Sequence, residues 1–203
     1  MKIIWHGHSC FQVESEDGVA VFDPYADGSV PGYEPLRLNA DAVFCSHGHG
    51  DHNAADLVTV SGRPVSMQAE TIATWHDDVQ GKKRGPNTIH ILHAESMRVA
   101  HLGDLGCALT AEQAQKLKDV DVLLIPVGGF YTIDTAQALE IVRELKPRVV
   151  IPMHYRFGRH GYDVIGTVDQ FVKESGQVHT CSGNSITVDA DTPQQTGILR
   201  YVP

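Results

Sequence analysis

The stretch HGHGDH, residues 47–52, decides how this chain is interpreted. Four of its six side chains are of metal-ligand type, because imidazole nitrogen and carboxylate oxygen both bind zinc and similar divalent ions. The two glycines allow the backbone to turn tightly between these side chains. Such a dense run cannot lie along one strand or one helix face, so we expect it to wrap around a metal centre. The best interpretation is a two-metal centre, which favours a hydrolase.

The composition is that of an ordinary globular protein. The chain has 203 residues, of which 42% are hydrophobic and 20% are charged, enough for a hydrophobic core. No low-complexity linker divides the sequence, so we expect a single domain over residues 1–203. The formal net charge is −9, and the one basic cluster is Lys82-Lys83-Arg84. Because phosphate binding needs clustered lysine and arginine, we expect a small-molecule substrate and no nucleic acid.

The sequence predicts neither export nor membrane insertion. The N-terminal stretch MKIIWH reaches a histidine before any apolar run develops, unlike a signal peptide. No segment approaches the roughly 18 uninterrupted apolar residues of a membrane span. The four cysteines form no C-x-x-C pair, which favours reduced thiols. We therefore expect a cytoplasmic protein without a membrane partner, and the sequence predicts no oligomeric state.

Three apolar segments each end at a ligand-type residue. Residues 43–46 lead directly to His47, and similar apolar segments lead to Asp104 and His154. The carboxyl ends of strands are where sheet proteins commonly build their sites, because strands hold the following loop residues rigidly. We expect these three segments to be strands that converge on one pocket.

The pattern of strands and helices indicates a layered α/β architecture. Thr110 opens a capping-box helix, and Asp134 caps a second helix with a regular apolar face. Residues 69–74 suggest a helical turn, and residues 164–174 predict a further helix. Short apolar strands lie between these helices and are expected to be buried on both faces.

Further motifs surround the central run. They are WHGHSCF at residues 5–11, DP at 23–24, HLGDLG at 101–106, PVGG at 126–129 and IPMHY at 151–155. Together with residues 47–52, they resemble the metallo-β-lactamase fold superfamily of metal-dependent hydrolases. Within it, the chain is similar to a bacterial and archaeal branch of small hydrolases, and more distantly to the ascorbate-6-phosphate lactonase group. The resemblance covers the chain from residue 1 to about residue 155.

The resemblance implies an αββα four-layer sandwich, in which two mixed β-sheets are flanked by helices and metals lie at one edge. It also implies two divalent ions, with Zn²⁺ as the default and Mn²⁺, Fe²⁺ or Ni²⁺ as alternatives. The implied ligands of the first ion are His47, His49 and a third histidine. Those of the second ion are Asp51, His52 and His154, and the bridging ligand is Asp104. The implied nucleophile is a hydroxide shared by both metals, which attacks an ester, lactone or phosphodiester.

The third histidine of the first ion has several candidates. We choose His76, because WHDD at residues 75–78 and GPNT at residues 85–88 resemble the same branch. Its separation from the central run is shorter than in typical β-lactamases of the superfamily. The competitors are His90, His93 and His101. These lie in predicted strands or at their ends, where a histidine is more often packed or hydrogen-bonded than a ligand.

Asp51, His8 and Asp23 have further expected roles in the predicted site. As a partly free carboxylate, Asp51 is expected to orient the nucleophile or receive its proton. His8 is expected to contact the substrate or transition state, with a hydrogen bond to a loop as the alternative. Asp23, in the DP motif, is expected to support the ligand loop.

Three other functions compete with small-molecule hydrolysis. A nuclease of the same superfamily is disfavoured by the acidic charge balance. A di-iron oxidoreductase is disfavoured because relatives with that chemistry commonly have glutamate at the second ligand position, where this chain has His49. A noncatalytic metal-binding protein would turn over no ester at all.

Overall fold

Fourteen β-strands and three α-helices make up the fold in a computed structural model that describes residues 1–203. The strands are β1 (Lys2–Gly7), β2 (Cys10–Ser15), β3 (Gly18–Phe22), β4 (Leu38–Ala40), β5 (Ala42–Phe44), β6 (Val58–Val60), β7 (Gln68–Trp75), β8 (Pro86–Ala94), β9 (Met97–His101), β10 (Val122–Pro126), β11 (Val149–Met153), β12 (Val178–Thr180), β13 (Ser185–Thr187) and β14 (Gln195–Ile198). The helices are α1 (Ala111–Leu117), α2 (Thr135–Leu145) and α3 (Asp169–Glu174), with a 3-10 turn at Ala55–Leu57.

The strands form two mixed sheets. The first has the order β13-β1-β2-β3-β5, and its last pair, β3 with β5, is parallel. The second has the order β12-β14-β11-β10-β9-β8-β7, with parallel pairing from β12 to β9 and antiparallel pairing from β9 to β7. Strands β4 and β6 form a separate parallel pair. The predicted αββα arrangement of two mixed sheets with helices is therefore confirmed.

One large hydrophobic core joins the sheets and helices. It contains 40 buried residues, including Phe11 of β2, Ile91 of β8 and Leu139 of α2. A second cluster of eight buried residues includes Cys10 and Val21, whose neighbours along the strands belong to the large core. Because successive side chains of a strand point to opposite faces, this cluster covers the other face of the first sheet.

The local sequence signals for helices were partly right. Thr110 and Asp134 both form the expected capping boxes at the starts of α1 and α2. Residues 69–74 were predicted as a helical turn, and this is wrong, because they belong to β7 and pair with β8 in antiparallel register. The predicted helix at 164–174 begins only at Asp169, since the Gly166 amide donates to the Gly128 carbonyl and holds the preceding residues in a loop.

Strand direction brings several chain segments to one edge of the molecule. In the second sheet, β7, β9, β10 and β11 all run the same way, so their carboxyl ends share one edge. In the first sheet, β3 and β5 also run parallel and end together.

None of the three helices has the length and hydrophobicity that crossing a membrane requires.

Candidate metal centre

The ends of strands deliver the predicted ligands. His76 follows β7 directly, His154 follows β11 directly, and Asp104 lies three residues beyond β9. The 47–52 run follows β5 of the other sheet. Because these strand ends meet, residues as far apart in sequence as His47 and His154 gather in one cluster.

Asp104 lies in the middle of this cluster and is 2% exposed. Its Oδ2 atom lies 3.2 Å from His76 Nε2 and 3.2 Å from His154 Nε2. Its Oδ1 atom lies 3.2 Å from His52 Nε2, and His47 Nε2 lies 3.9 Å from Oδ2. Burial alone would raise the pKa of this carboxyl group, but the neighbouring imidazoles hold it well below its usual range. Asp104 is therefore ionised at neutral pH.

The surrounding ligand-type side chains form two groups, and a third group of His47, His52 and Asp104 joins them. Within each group, the candidate ligand atoms lie within 4.8 Å of one another. The first group is His47, His49 and His76. The second group is His8, Asp51, His52 and His154. The structure thus brings together all of the sequence-predicted site residues, and His8 lies in the second group.

The three competing histidines lie elsewhere and have other partners. His90 Nε2 lies 3.1 Å from the Cys45 carbonyl, and His101 Nε2 lies 2.9 Å from the Ser9 carbonyl. His93 lies 2.6 Å from Glu70 on the neighbouring strand. The geometry therefore favours His76 as the third histidine of the first group.

The donor set fits divalent metal ions. The Nε2 atoms of His47, His52 and His154 are buried and have no hydrogen-bond partner, and neither has Asp104 Oδ1. Buried polar atoms without partners are costly, so a group of them facing one point indicates a ligand that the protein is built to hold. Imidazole nitrogen with carboxylate oxygen is a donor set that suits zinc and related ions.

Asp23 fixes the orientation of one of these histidines. Its carboxylate is fully buried and accepts hydrogen bonds from the Ser46 amide at 2.7 Å, the Ser46 hydroxyl at 2.6 Å and His52 Nδ1 at 2.7 Å. Because Nδ1 donates its proton to Asp23, Nε2 is the nitrogen of His52 that is left to bind a metal ion beside Asp104. The contacts match the supporting role expected for Asp23.

His8 occupies a buried position beside Asp51. Its Nε2 atom lies 3.4 Å from Asp51 Oδ2, and its ring centroid lies 4.2 Å from that of His154. Burial, with the charge of His154 adding to it, lowers the pKa of His8 to about 4. Neither ring nitrogen has a hydrogen-bond partner, so the alternative of a hydrogen bond to a loop finds no support in the structure.

Sequence reasoning missed two residues that contact the cluster. The Tyr162 hydroxyl lies 3.2 Å from Asp51 Oδ2 and 2.9 Å from the Ser29 carbonyl. The Asn87 side chain accepts a hydrogen bond of 2.9 Å from the Asp104 amide and so holds the loop that follows β9. Asn87 falls in the GPNT segment used for the resemblance, whereas no sequence signal points to Tyr162.

Known proteins similar to this chain are metal-dependent hydrolases. Residues 2–154 match the profile of the Beta-lactamase superfamily domain. A UPF0173 metal-dependent hydrolase of Thermoplasma volcanium is 31% identical over 200 residues, which cover 81% of this chain and 86% of that protein. A second such hydrolase, from Archaeoglobus fulgidus, is 29% identical over 76% of this chain and 83% of its own length.

A solved structure has a fold similar to that of this chain. A Thermotoga maritima protein assigned to the zinc-dependent hydrolases of the metallo-β-lactamase superfamily superimposes with a TM-score of 0.78. It is 32% identical, and the match covers 98% of this chain and 97% of that one.

Proposed function

The chain belongs to the β-lactamase superfamily, among its metal-dependent hydrolases, and we propose that it uses two divalent ions to hydrolyse an ester, lactone or phosphodiester bond of a small molecule. The observation that carries the proposal is the placement of two ligand groups around the ionised Asp104, with unpartnered histidine nitrogens facing that carboxylate.

Each ion would have its own set of protein ligands. The ligands of the first ion would be His47, His49 and His76. Those of the second would be Asp51, His52 and His154, with Asp104 shared. Zn²⁺ is the default, because the set is rich in imidazole and contains no thiolate. Bound there, the ions would lower the pKa of a water molecule toward neutrality and polarise the substrate oxygen.

Asp51 is placed to orient the attacking water. Nearby imidazoles hold the pKa of Asp51 below its usual range, although burial opposes them, so its carboxylate is ionised and accepts hydrogen bonds. The Tyr162 hydroxyl and His8 Nε2 both face the same oxygen, Oδ2, and so limit its rotation. Asp51 would therefore accept a hydrogen bond from the attacking water, so that the water oxygen faces the substrate.

His8 would contact the substrate or the transition state from the second group. It is neutral at pH 7, because its pKa is about 4, so one ring nitrogen can accept a proton and the other can donate one. Its ring lies against His154 and Tyr162, which leaves it little freedom to move.

A small-molecule substrate is favoured over nucleic acid. The net charge is −9, and within the one basic cluster Lys83 already pairs with Asp78 at 2.9 Å. A nuclease would need free lysine and arginine side chains along a surface to bind phosphates. His49, at the position where di-iron oxidoreductase relatives have glutamate, favours hydrolysis over oxidation.

A substrate panel with matched variants tests the proposal. Zinc-loaded protein is assayed on lactones, phosphodiesters and thioesters, and at least one class is expected to turn over. We expect His49→Ala and Asp51→Ala to abolish that turnover while circular dichroism shows the fold retained. The control is His93→Ala, which removes a histidine paired with Glu70 outside the cluster and should keep activity. Unchanged turnover in the first two variants would refute the assignment.

A further inference from the structure

Phe130 lies in a conformation that a large side chain rarely adopts. Its φ is +60°, in the left-handed region, and the Tyr131 amide donates to the Gly129 carbonyl at 2.7 Å. This bond closes a γ-turn with Phe130 at its centre, a strained arrangement for a residue other than glycine. Phe130 is nevertheless 63% exposed, so burial of its ring does not offset the strain.

The loop that carries Phe130 is rigid. At its start, Gly128 packs so closely on the His154 carbonyl that a Cβ would overlap it, and the Gly166 amide donates to the Gly128 carbonyl at 2.7 Å. Farther along, the Ile133 amide donates to the Leu105 carbonyl at 2.8 Å. The loop is therefore fixed to the segments that follow β9 and β11, which also carry Asp104 and His154.

Arg84 clamps the turn from a second loop. Its guanidinium donates to the Phe130 carbonyl at 3.1 Å and lies 5.3 Å from the centre of the Tyr131 ring. The loop of Arg84 is itself held by the Asp77 carboxylate, which accepts four backbone hydrogen bonds within residues 79–84. The contacts of Arg84 therefore hold the strained turn in place.

The exposed ring is continuous with the candidate metal centre. The rings of Phe130 and Tyr131 are 4.8 Å apart. Tyr131 then lies 5.8 Å from Tyr162 and 6.5 Å from His154, measured between ring centroids. An aromatic wall of Tyr162, Tyr131 and Phe130 therefore runs from the second ligand group to the exposed Phe130 ring.

We propose that Phe130 and Tyr131 form a subsite for an aryl or similarly flat, apolar group of the substrate, next to the bond that is cleaved. The inference rests on the proposed function, because it assigns the wall to the substrate of the same site. A flat apolar group would cover the exposed Phe130 ring and stack on the wall, since aromatic rings prefer offset or edge-to-face contacts.

Binding of non-hydrolysable probes tests the subsite without turnover. Isothermal titration of zinc-loaded protein compares phenylphosphonate with methylphosphonate, which share the anionic head and differ in the apolar group. We expect phenylphosphonate to bind at least tenfold more tightly. Phe130→Gly should bring the two affinities within threefold and should leave the thermal midpoint unchanged or higher, because glycine relieves the positive φ. The control is Val178→Ala, another exposed apolar position, on β12.

The outcomes separate this inference from the proposed function. Equal affinities in the unaltered protein, or an undiminished preference in Phe130→Gly, would overturn the subsite. A drop in oligomeric state in Phe130→Gly with the preference intact would assign the ring to a contact between copies of the chain and would also overturn it. A phenyl preference that depends on Phe130 in a protein that turns over no ester would uphold the subsite and refute hydrolysis.

Discussion

Replacing Asp23 with asparagine should weaken metal binding through His52. The Oδ2 atom of Asp23 accepts from both the Ser46 hydroxyl and His52 Nδ1. In Asp23→Asn an amide NH₂ placed there would donate instead. The serine hydroxyl can rotate to accept, but His52 can accept only by moving its proton from Nδ1 to Nε2. The nitrogen that faces Asp104 would then carry a proton and could not bind a metal.

The size of the effect follows from the lost hydrogen bond. A hydrogen bond to a charged group contributes about 1.5–3 kcal/mol, and each 1.4 kcal/mol corresponds to about tenfold in affinity. We therefore expect a decrease of roughly 10- to 100-fold in zinc affinity, the range found when partners of metal-binding histidines are removed. The isosteric change is preferable to alanine, which would leave three buried donors unpaired and cost about 3–9 kcal/mol.

Competition with a chelator of known affinity measures this change. The control is Asp41→Asn, because Asp41 also accepts from a backbone amide (Val19), a serine hydroxyl (Ser61) and an arginine (Arg63), but contacts no histidine. The control should lose stability and keep its zinc affinity. An Asp23→Asn protein whose zinc affinity stays within threefold of the unaltered protein would refute the argument about the His52 proton.

Three further predictions concern the ligands, pH and packing. His76→Ala should reduce bound zinc from about two ions per chain to one by elemental analysis; two retained ions would move the third-ligand assignment to another histidine. In metal-free protein, urea unfolding should show stability falling as the pH drops from 6.5 to about 4, because burial lowers the pKa of His8 and the unfolded chain alone takes up the proton. Burial lowers the pKa of His47 to about 4 in the same way, so His8→Asn should make the slope shallower without abolishing it, and an unchanged slope would count against a neutral buried His8. Gly103→Ala should cost about 2–5 kcal/mol by urea unfolding, because Gly103 has a φ of +55° and a Cβ would overlap its neighbours; a loss under about 0.5 kcal/mol would contradict this.

Much of the site could be predicted because it depends on local sequence. The 47–52 run contains ligand-type residues at short spacing, and the apolar segments before His47, Asp104 and His154 predict strands that end at those residues. The capping boxes of α1 and α2 are also local, since each is completed within four residues. Local patterns therefore predicted the two helix starts and the ligand-type residues after strands, whereas the resemblance supplied the assignment of those residues to two metal ions.

The remaining features depend on contacts between distant segments. Residues 69–74 form a strand because β8 supplies hydrogen-bond partners along the whole of β7, which no local helix propensity reveals. His90 and His101 have the same side chain as His76, and only the fold shows that they face the Cys45 and Ser9 carbonyls. Tyr162 reaches Asp51 from a loop 111 residues away. The single-domain, cytoplasmic and substrate expectations stay predictions.

Anomalous diffraction from crystals of zinc-loaded protein would locate the bound ions. Two peaks are expected at the zinc edge, one contacted by His47, His49 and His76, and the other by Asp51, His52 and His154, with the Asp104 carboxylate contacting both. A single peak, or zinc bound away from Asp104, would contradict the account.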